Sequence, residues 1–157
     1  MAAVVANSQN MSSNNTNLSE QDKTFLEKAA SGGKMEMTAG AYARSHATTQ
    51  KVKAFGMRMI KDHGQSNQQL MRVASKLRMS LPSSVGNEEE QTLKKIESAR
   101  GTDFDRNYMQ IMVEDHKDDI ALFEAEVKNG KNQTLKDFAS RTLPILREHL
   151  KLAEQLM

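Results

Sequence analysis

Three histidines of this chain directly follow an acid: His63 in MIKDHG (59–64), His116 in MVEDHK (112–117) and His149 in ILREHL (145–150). Each lies on a helical repeat of apolar residues. His63 comes four after Met59 and seven before Leu70, and His116 lies four from both Met112 and Ile120. His149 comes four after Ile145 and three before Leu152. An imidazole that faces a core without a polar partner is costly. Three of them on three helices point to a polar cluster inside a helical bundle, and a bound metal is the commonest reason for one.

Glu36 joins them, three after Gly33 and four before Gly40 on the inward stripe of the first helix. Glu36, His63 and His116 fall near mid-helix and His149 slightly beyond, so four candidate ligands from four helices can meet in one layer. One carboxylate and three imidazoles suit a single divalent ion such as zinc, manganese or iron. Asp62, Asp115 and Glu148 point about 100° away from the histidines they precede. That places them to fix the tautomer of a histidine on the next helix, as carboxylates behind metal ligands do. Surface solvation is the plainer role for these acids, and a metal-free histidine–carboxylate network is the plainer role for the histidines. Di-iron bundles use Glu-x-x-His on two helices. That motif occurs nowhere here, which disfavours di-iron chemistry.

Other residues carry weaker signals. His46 falls where the first helix ends and reads as a cation at the negative end of the helix dipole. Met57 and Met59 invite a copper reading, but residues two apart face different sides of a helix. Tyr42, Tyr108 and Asn67 are placed to extend a polar layer. No serine or lysine has a recognisable nucleophile's setting, so no catalytic residue is assigned.

The elements that must position these groups follow from the apolar pattern. Ser19 with Asp22 opens a first helix running to about His46, its stripe including Gly32, Gly33 and Gly40. Glycine on an apolar stripe usually means close approach by a neighbouring helix. Thr48 or Thr49 caps a second helix that ends before Leu81-Pro82. A minor helix spans Asn87 to Ser98, Gly101 breaks it, and Thr102 or Asp103 caps a third long helix ended by Asn129-Gly130. The last helix starts near Asn132 and contains Pro144, which should kink it or free a carbonyl. Short links make two antiparallel hairpins, and the connection of about 22 residues between the second and third long helices can span the bundle. VKAFGMRMIKDH (52–63) also echoes RNYMQIMVEDH (106–116), with an aromatic residue eight before each histidine, as either a duplicated hairpin or similar packing demands on two helices would give.

Composition narrows the function classes. The 157 residues hold one domain, with 11 methionines, no tryptophan and a core otherwise of aliphatic residues. A net charge of +2, from 22 basic and 20 acidic residues without a basic block, gives no case for a nucleic-acid partner. No run of ~18 apolar residues offers a membrane span. The absence of cysteine excludes disulfides, thiolate catalysis and iron–sulfur clusters. MAAVVA (1–6) reads as the remnant of a signal-peptide cleavage region. The polar run that follows makes residues 1–17 a flexible tail ahead of a domain over residues 18–157.

Four stretches together resemble a known family: GGKMEMTAGAYA (32–43), VKAFGMRMIKDHGQSNQQL (52–70), DFDRNYMQIMVEDHKDDIALFE (103–124) and LKDFASRTLPILREHLKLA (135–153). They resemble the DUF4142 family of bacterial envelope proteins. The resemblance implies an all-α, ferritin-like four-helix bundle, with the short extra helix in the crossover between helices two and three, and export to the periplasm or outer membrane. It implies no established activity and names no protein partner. Three functions are then open. The first is metal buffering or stress protection through Glu36, His63, His116 and His149, and the second is mononuclear redox chemistry at the same site. The third is a metal-free structural or interaction module.

Overall fold

A computed structural model describes residues 18–157; the expected tail, residues 1–17, lies outside the described residues. The described chain is an all-helical bundle of five helices: α1 (Glu20–His46), α2 (Gln50–Lys76), α3 (Asn87–Ser98), α4 (Gly101–Asn129) and α5 (Gln133–Leu156). The caps explain most of the boundaries. Ser19 and Asp22 form a reciprocal capping box at α1, while the Thr49 and Asn132 side chains accept from backbone N–H groups of Val52 and Leu135. The expected cap of α4 is different. Gly101 has φ 58° and is itself the first helical residue, so the left-handed turn that separates α3 from α4 falls on the glycine.

The other ends are settled by space as much as by conformation. Gly130 ends α4 with φ −58°, so it does not serve as a left-handed cap. A Cβ there would fall 2.4 Å from Glu126 Oε1, and only glycine fits beneath that side chain. Pro144 lies inside α5, which continues through it to Leu156. Without an N–H at 144, the Ser140 carbonyl lacks its helical donor.

Helices α1 and α2 pack as one hairpin and α4 and α5 as another, with α1 against α4 and α2 against α5. Buried aspartates clasp the two hairpins at both ends. Asp22, at the start of α1, accepts from Lys131 N and Asn132 N in the α4–α5 turn at 2.9 and 3.1 Å. Asp105, at the start of α4, accepts from Thr48 N, Thr49 N and Thr49 Oγ1 in the α1–α2 turn at 2.7, 2.9 and 2.9 Å. Each helix start therefore meets the far end of the other hairpin, so α1 and α4 run antiparallel. The connection from α2 to α4 must travel the length of the bundle to allow this. It is fastened to α1 on the way, with Gly86 N donating to Ser31 Oγ at 2.8 Å and Lys34 Nζ to the Pro82 carbonyl. From α3, Ile96 enters the core.

Close approach of α1 and α2 depends on two glycines. A Cβ on Gly40 would lie 2.5 Å from the Gly56 carbonyl oxygen, and one on Gly56 would lie 2.6 Å from that of Gly40. Gly33 instead lies beneath the Asn67 side chain, and Gly32 makes only ordinary contact with Asp119, so neither matches the expected backbone approach. The echoed segments prove to be opposite each other across the core, with Phe55 and Tyr108 rings 6.1 Å apart at their centroids. They lie on α2 and α4, whereas duplication of a hairpin would pair α2 with α5. Shared packing demands account for the echo.

Gly40→Ala should destabilise the protein by about 1–3 kcal/mol through backbone overpacking, despite alanine's higher helix propensity. Gly64→Ala, whose new Cβ meets only the flexible Met37 Cε at 3.6 Å, should stabilise by about 0.5–1 kcal/mol. Urea unfolding of the two variants checks the opposite signs.

Candidate metal centre

Glu36, His116 and His149 are fully buried and His63 is 5% exposed, so the four candidate residues occupy the interior of the bundle. The three imidazoles form a near-equilateral triangle with centroid separations of 5.7 Å (63–116), 5.2 Å (63–149) and 5.3 Å (116–149). One ring nitrogen from each lies within 4.8 Å of the others. Glu36 meets two of them: Oε2 is 2.7 Å from His63 Nδ1 and Oε1 is 3.2 Å from His116 Nε2. Met35, Met59, Met109 and Met112 supply fully buried or nearly buried thioethers in the same part of the core.

The outward bonds of two histidines decide what faces inward. His116 Nδ1 lies 2.8 Å from the Met112 carbonyl oxygen, and His149 Nε2 lies 2.9 Å from Asp62 Oδ2. Both partners accept only, so both of these nitrogens must carry the proton. A neutral imidazole has one N–H, which leaves lone pairs on His116 Nε2 and His149 Nδ1. Those two atoms face each other at 3.3 Å. Glu36 Oε1, also an acceptor when ionised, lies 3.2 Å from His116 Nε2, but Glu36 and His149 fall in separate groups of close donor atoms that share His116.

Burial holds all three imidazoles neutral. It lowers His63 and His149 from 6.5 to about 4, with Asp115 and Asp62 opposing for His63 and the Asp62 bond opposing for His149. His116 is lowered to about 3 by burial and by the neighbouring His63 and His149. Burial also raises Glu36 well above its ordinary 4.5. Asp115 is raised above 3.8 by burial and then by the charge of Glu36.

The three acids that precede the histidines have different fates. Asp62 reaches across to His149 on α5, and Arg58 Nε braces the same oxygen at 3.1 Å. Burial raises Asp62, but the bonds from His149 and Arg58 hold it below its ordinary value. Asp115 does not bond a histidine; its carboxyl faces Glu36, with which it and His116 form a second group of close donor atoms. Glu148 is exposed and pairs with Arg58 Nη2 at 3.1 Å, too far around α5 to orient an imidazole. Thus the 100° offset serves only Asp62 in the expected way.

Of the weaker candidates, His46 is exposed and stacks on Tyr42, while Tyr42 Oη lies 3.5 Å from the Glu97 carbonyl at the surface. Asn67 donates to Met37 Sδ at 3.6 Å, outside the cluster. Tyr108 is buried, its hydroxyl has no hydrogen-bond partner among the described residues, and its ionisation is pushed upward by burial and by Glu36. Two participants were missed. Arg58 and Asp119 both stand four residues from an acid of the site, Asp62 and Asp115, and that i,i+4 spacing was the signal available.

Residues 7–156 match the family model of DUF4142, a domain of unknown function. The chain belongs to the DUF4142 family. No curated protein matches this DUF4142 chain. Among solved structures, it is similar to a DUF305 fragment from Deinococcus radiodurans, with a TM-score of 0.77 at 10% identity. That likeness covers 88% of this chain and 96% of the other, and at such identity it speaks for the fold alone.

In metal-free protein, long-range proton–nitrogen NMR should show His116 as the Nδ1–H tautomer and His149 as the Nε2–H tautomer, both neutral at pH 5. The unfolded chain takes up a proton at each histidine near pH 6.5 and the folded chain does not until about pH 3–4. Each histidine therefore costs stability as pH falls through that window. Replacing His116 with Met should flatten the acid slope of unfolding free energy by about 1.4 kcal/mol per pH unit.

Proposed function

We propose that the protein binds one divalent transition-metal ion through His63, His116, His149 and Glu36 in a ferritin-like four-helix bundle. The observation that carries this reading is His116 Nε2, whose lone pair faces His149 Nδ1 at 3.3 Å and Glu36 Oε1 at 3.2 Å. Acceptors that face one another repel unless a proton or a metal cation lies among them, and a cation can satisfy all of them at once. Bonds of about 2.0–2.1 Å at tetrahedral angles put neighbouring donors about 3.3 Å apart, so the spacing favours zinc over larger octahedral ions such as manganese. Iron(II) suits the same nitrogen-rich donors. Asp62, held by Arg58, is the carboxylate that orients His149 and raises its basicity.

A resident ion of this kind would serve metal buffering or stress protection, and we propose the periplasm or cell envelope as its setting, a reading supported only by the resemblance to envelope proteins. One contact favours a second reading without metal. The 2.7 Å approach of His63 Nδ1 to Glu36 is the pairing that a purely structural network would use. In that case the cluster is a set of internal struts.

Metal analysis and zinc titration separate the two. Protein prepared without chelator or nickel resin should hold about one equivalent of metal, and His116→Ala should lose it. Asp62→Ala should weaken affinity about 10–100-fold, while Glu148→Gln leaves it unchanged. Zinc at about 100 times its Kd should add about 2.7 kcal/mol to stability. Failure to take up zinc, manganese or iron between pH 6 and 8 would leave only the strut reading.

A further inference from the structure

The cluster is flanked by charges of opposite sign on its two sides. On the α2–α5 side Arg58 bonds both Asp62 and Glu148, setting a guanidinium beside His149. A cation approaching there meets a fixed positive charge. On the α1–α3–α4 side lies a cavity of about 320 Å³, with Gly32, Met35, Thr92 and Leu122 in its walls. Five carboxylates line it, Glu88, Glu89, Asp115, Asp118 and Asp119, against one lysine, Lys28. Asp119 is raised above its ordinary value by burial and then by Glu36, Asp115, Asp118 and Glu89, so the acids of the cavity and Glu36 share one field.

Asp115 connects this cavity to the cluster. It lines the cavity, and it also belongs to the group of close donor atoms with Glu36 and His116. Its Oδ2 is buried with no N–H donor among the described residues, and the fully buried Glu36 has only His63 Nδ1, at 2.7 Å, as a close N–H donor among them. Buried carboxylate oxygens normally find donors. A file of donor-poor carboxyl oxygens running inward from an acidic cavity is the chemistry that strips water from a cation in steps.

We infer that the acidic cavity between α1, α3 and α4 is the route by which a divalent cation reaches the buried cluster, with Asp115 as the transfer ligand between cavity and Glu36. The inference rests on the metal-binding reading. Oxygen ligands of the cavity take hard, partly hydrated divalent ions weakly, and the imidazoles retain those that prefer nitrogen. The guanidinium of Arg58 repels cations on the opposite side, so uptake and release use one path.

Stopped-flow uptake of Co2+, followed by its visible absorption and reversed with chelator, tests this on the full chain. Gly32→Leu fills the cavity from a position where a Cβ already meets Asp119 at an ordinary 3.5 Å. It should slow uptake and release by the same factor, about tenfold, and leave Kd within about threefold, because a plug alters the path and not the end state. The exposed pair Glu88→Gln with Asp118→Asn should slow uptake about tenfold at low salt and much less at ~0.5 M salt. Glu124→Gln with Asp137→Asn, outside the cavity, should load at the normal rate. Normal rates in the charge-neutralised pair overturn the route while leaving the metal site standing, and they decide the question even if Gly32→Leu fails to fold. No Co2+ uptake by the unaltered chain overturns the metal reading and the route together.

Discussion

Glu36 is withdrawn from water at the middle of the bundle, and a carboxylate in that position costs several kcal/mol unless charge or hydrogen bonds compensate it. The surrounding structure can be understood as a response to that one group. Three imidazoles gather beside it from α2, α4 and α5, and two of them, His63 and His116, meet it directly. Two of those imidazoles are turned by outside acceptors so that their protons point away from it. The arrangement concentrates electron density at a point from which solvent is excluded. A bundle that merely needed to fill its core would place aliphatic residues at all four positions, as it does elsewhere in the core with Leu26, Leu70, Leu135 and Leu146.

Holding such a centre requires that the helices not slide, and the ends of the bundle provide this. Asp22 and Asp105 each tie the start of one hairpin to the turn of the other, so an axial shift of α1 against α4 would break several charge-assisted hydrogen bonds at once. The contact of Gly40 with Gly56 fixes the α1–α2 separation close to the cluster, one turn after Glu36 on α1 and two turns before His63 on α2. Position along the axis and distance across it are thus set by different residues. The similar DUF305 fragment shares the overall fold at 10% identity, so the fold itself tolerates wide change in sequence.

Much of this was legible in the chain because helices advertise themselves through periodicity. The repeat that carries Met59, His63 and Leu70 placed His63 inside without any knowledge of its neighbours. Ser19, Thr49 and Asn132 marked three helix starts through side-chain chemistry that acts over three residues. What stayed hidden depends on rotation and on distant partners. Asp115 and Glu148 occupy equivalent places before a histidine, yet one faces a buried carboxylate and the other an exposed arginine, because α4 is covered by α1 and α3 while α5 is open on that side. Asp22 was legible as a cap and illegible as a clasp, since Lys131 and Asn132 are more than a hundred residues away. Gly130 was expected to serve by its backbone and serves by its lack of a side chain.

The methionines packed around the cluster give it a mechanical property that aliphatic residues would not. Met59 and Met112 lie one turn before His63 and His116, and Met35 directly precedes Glu36, all essentially without solvent exposure. A thioether chain has three rotatable bonds and a polarisable sulfur, so it re-forms its contacts when a neighbour moves by a fraction of an ångström. A β-branched side chain in the same place would transmit that movement to the backbone. The polar centre is therefore seated in a compliant lining within a stiff frame: its donor atoms can contract or spread over the range that separates one ionic radius from the next while the helix axes stay where the aspartates and glycines have put them.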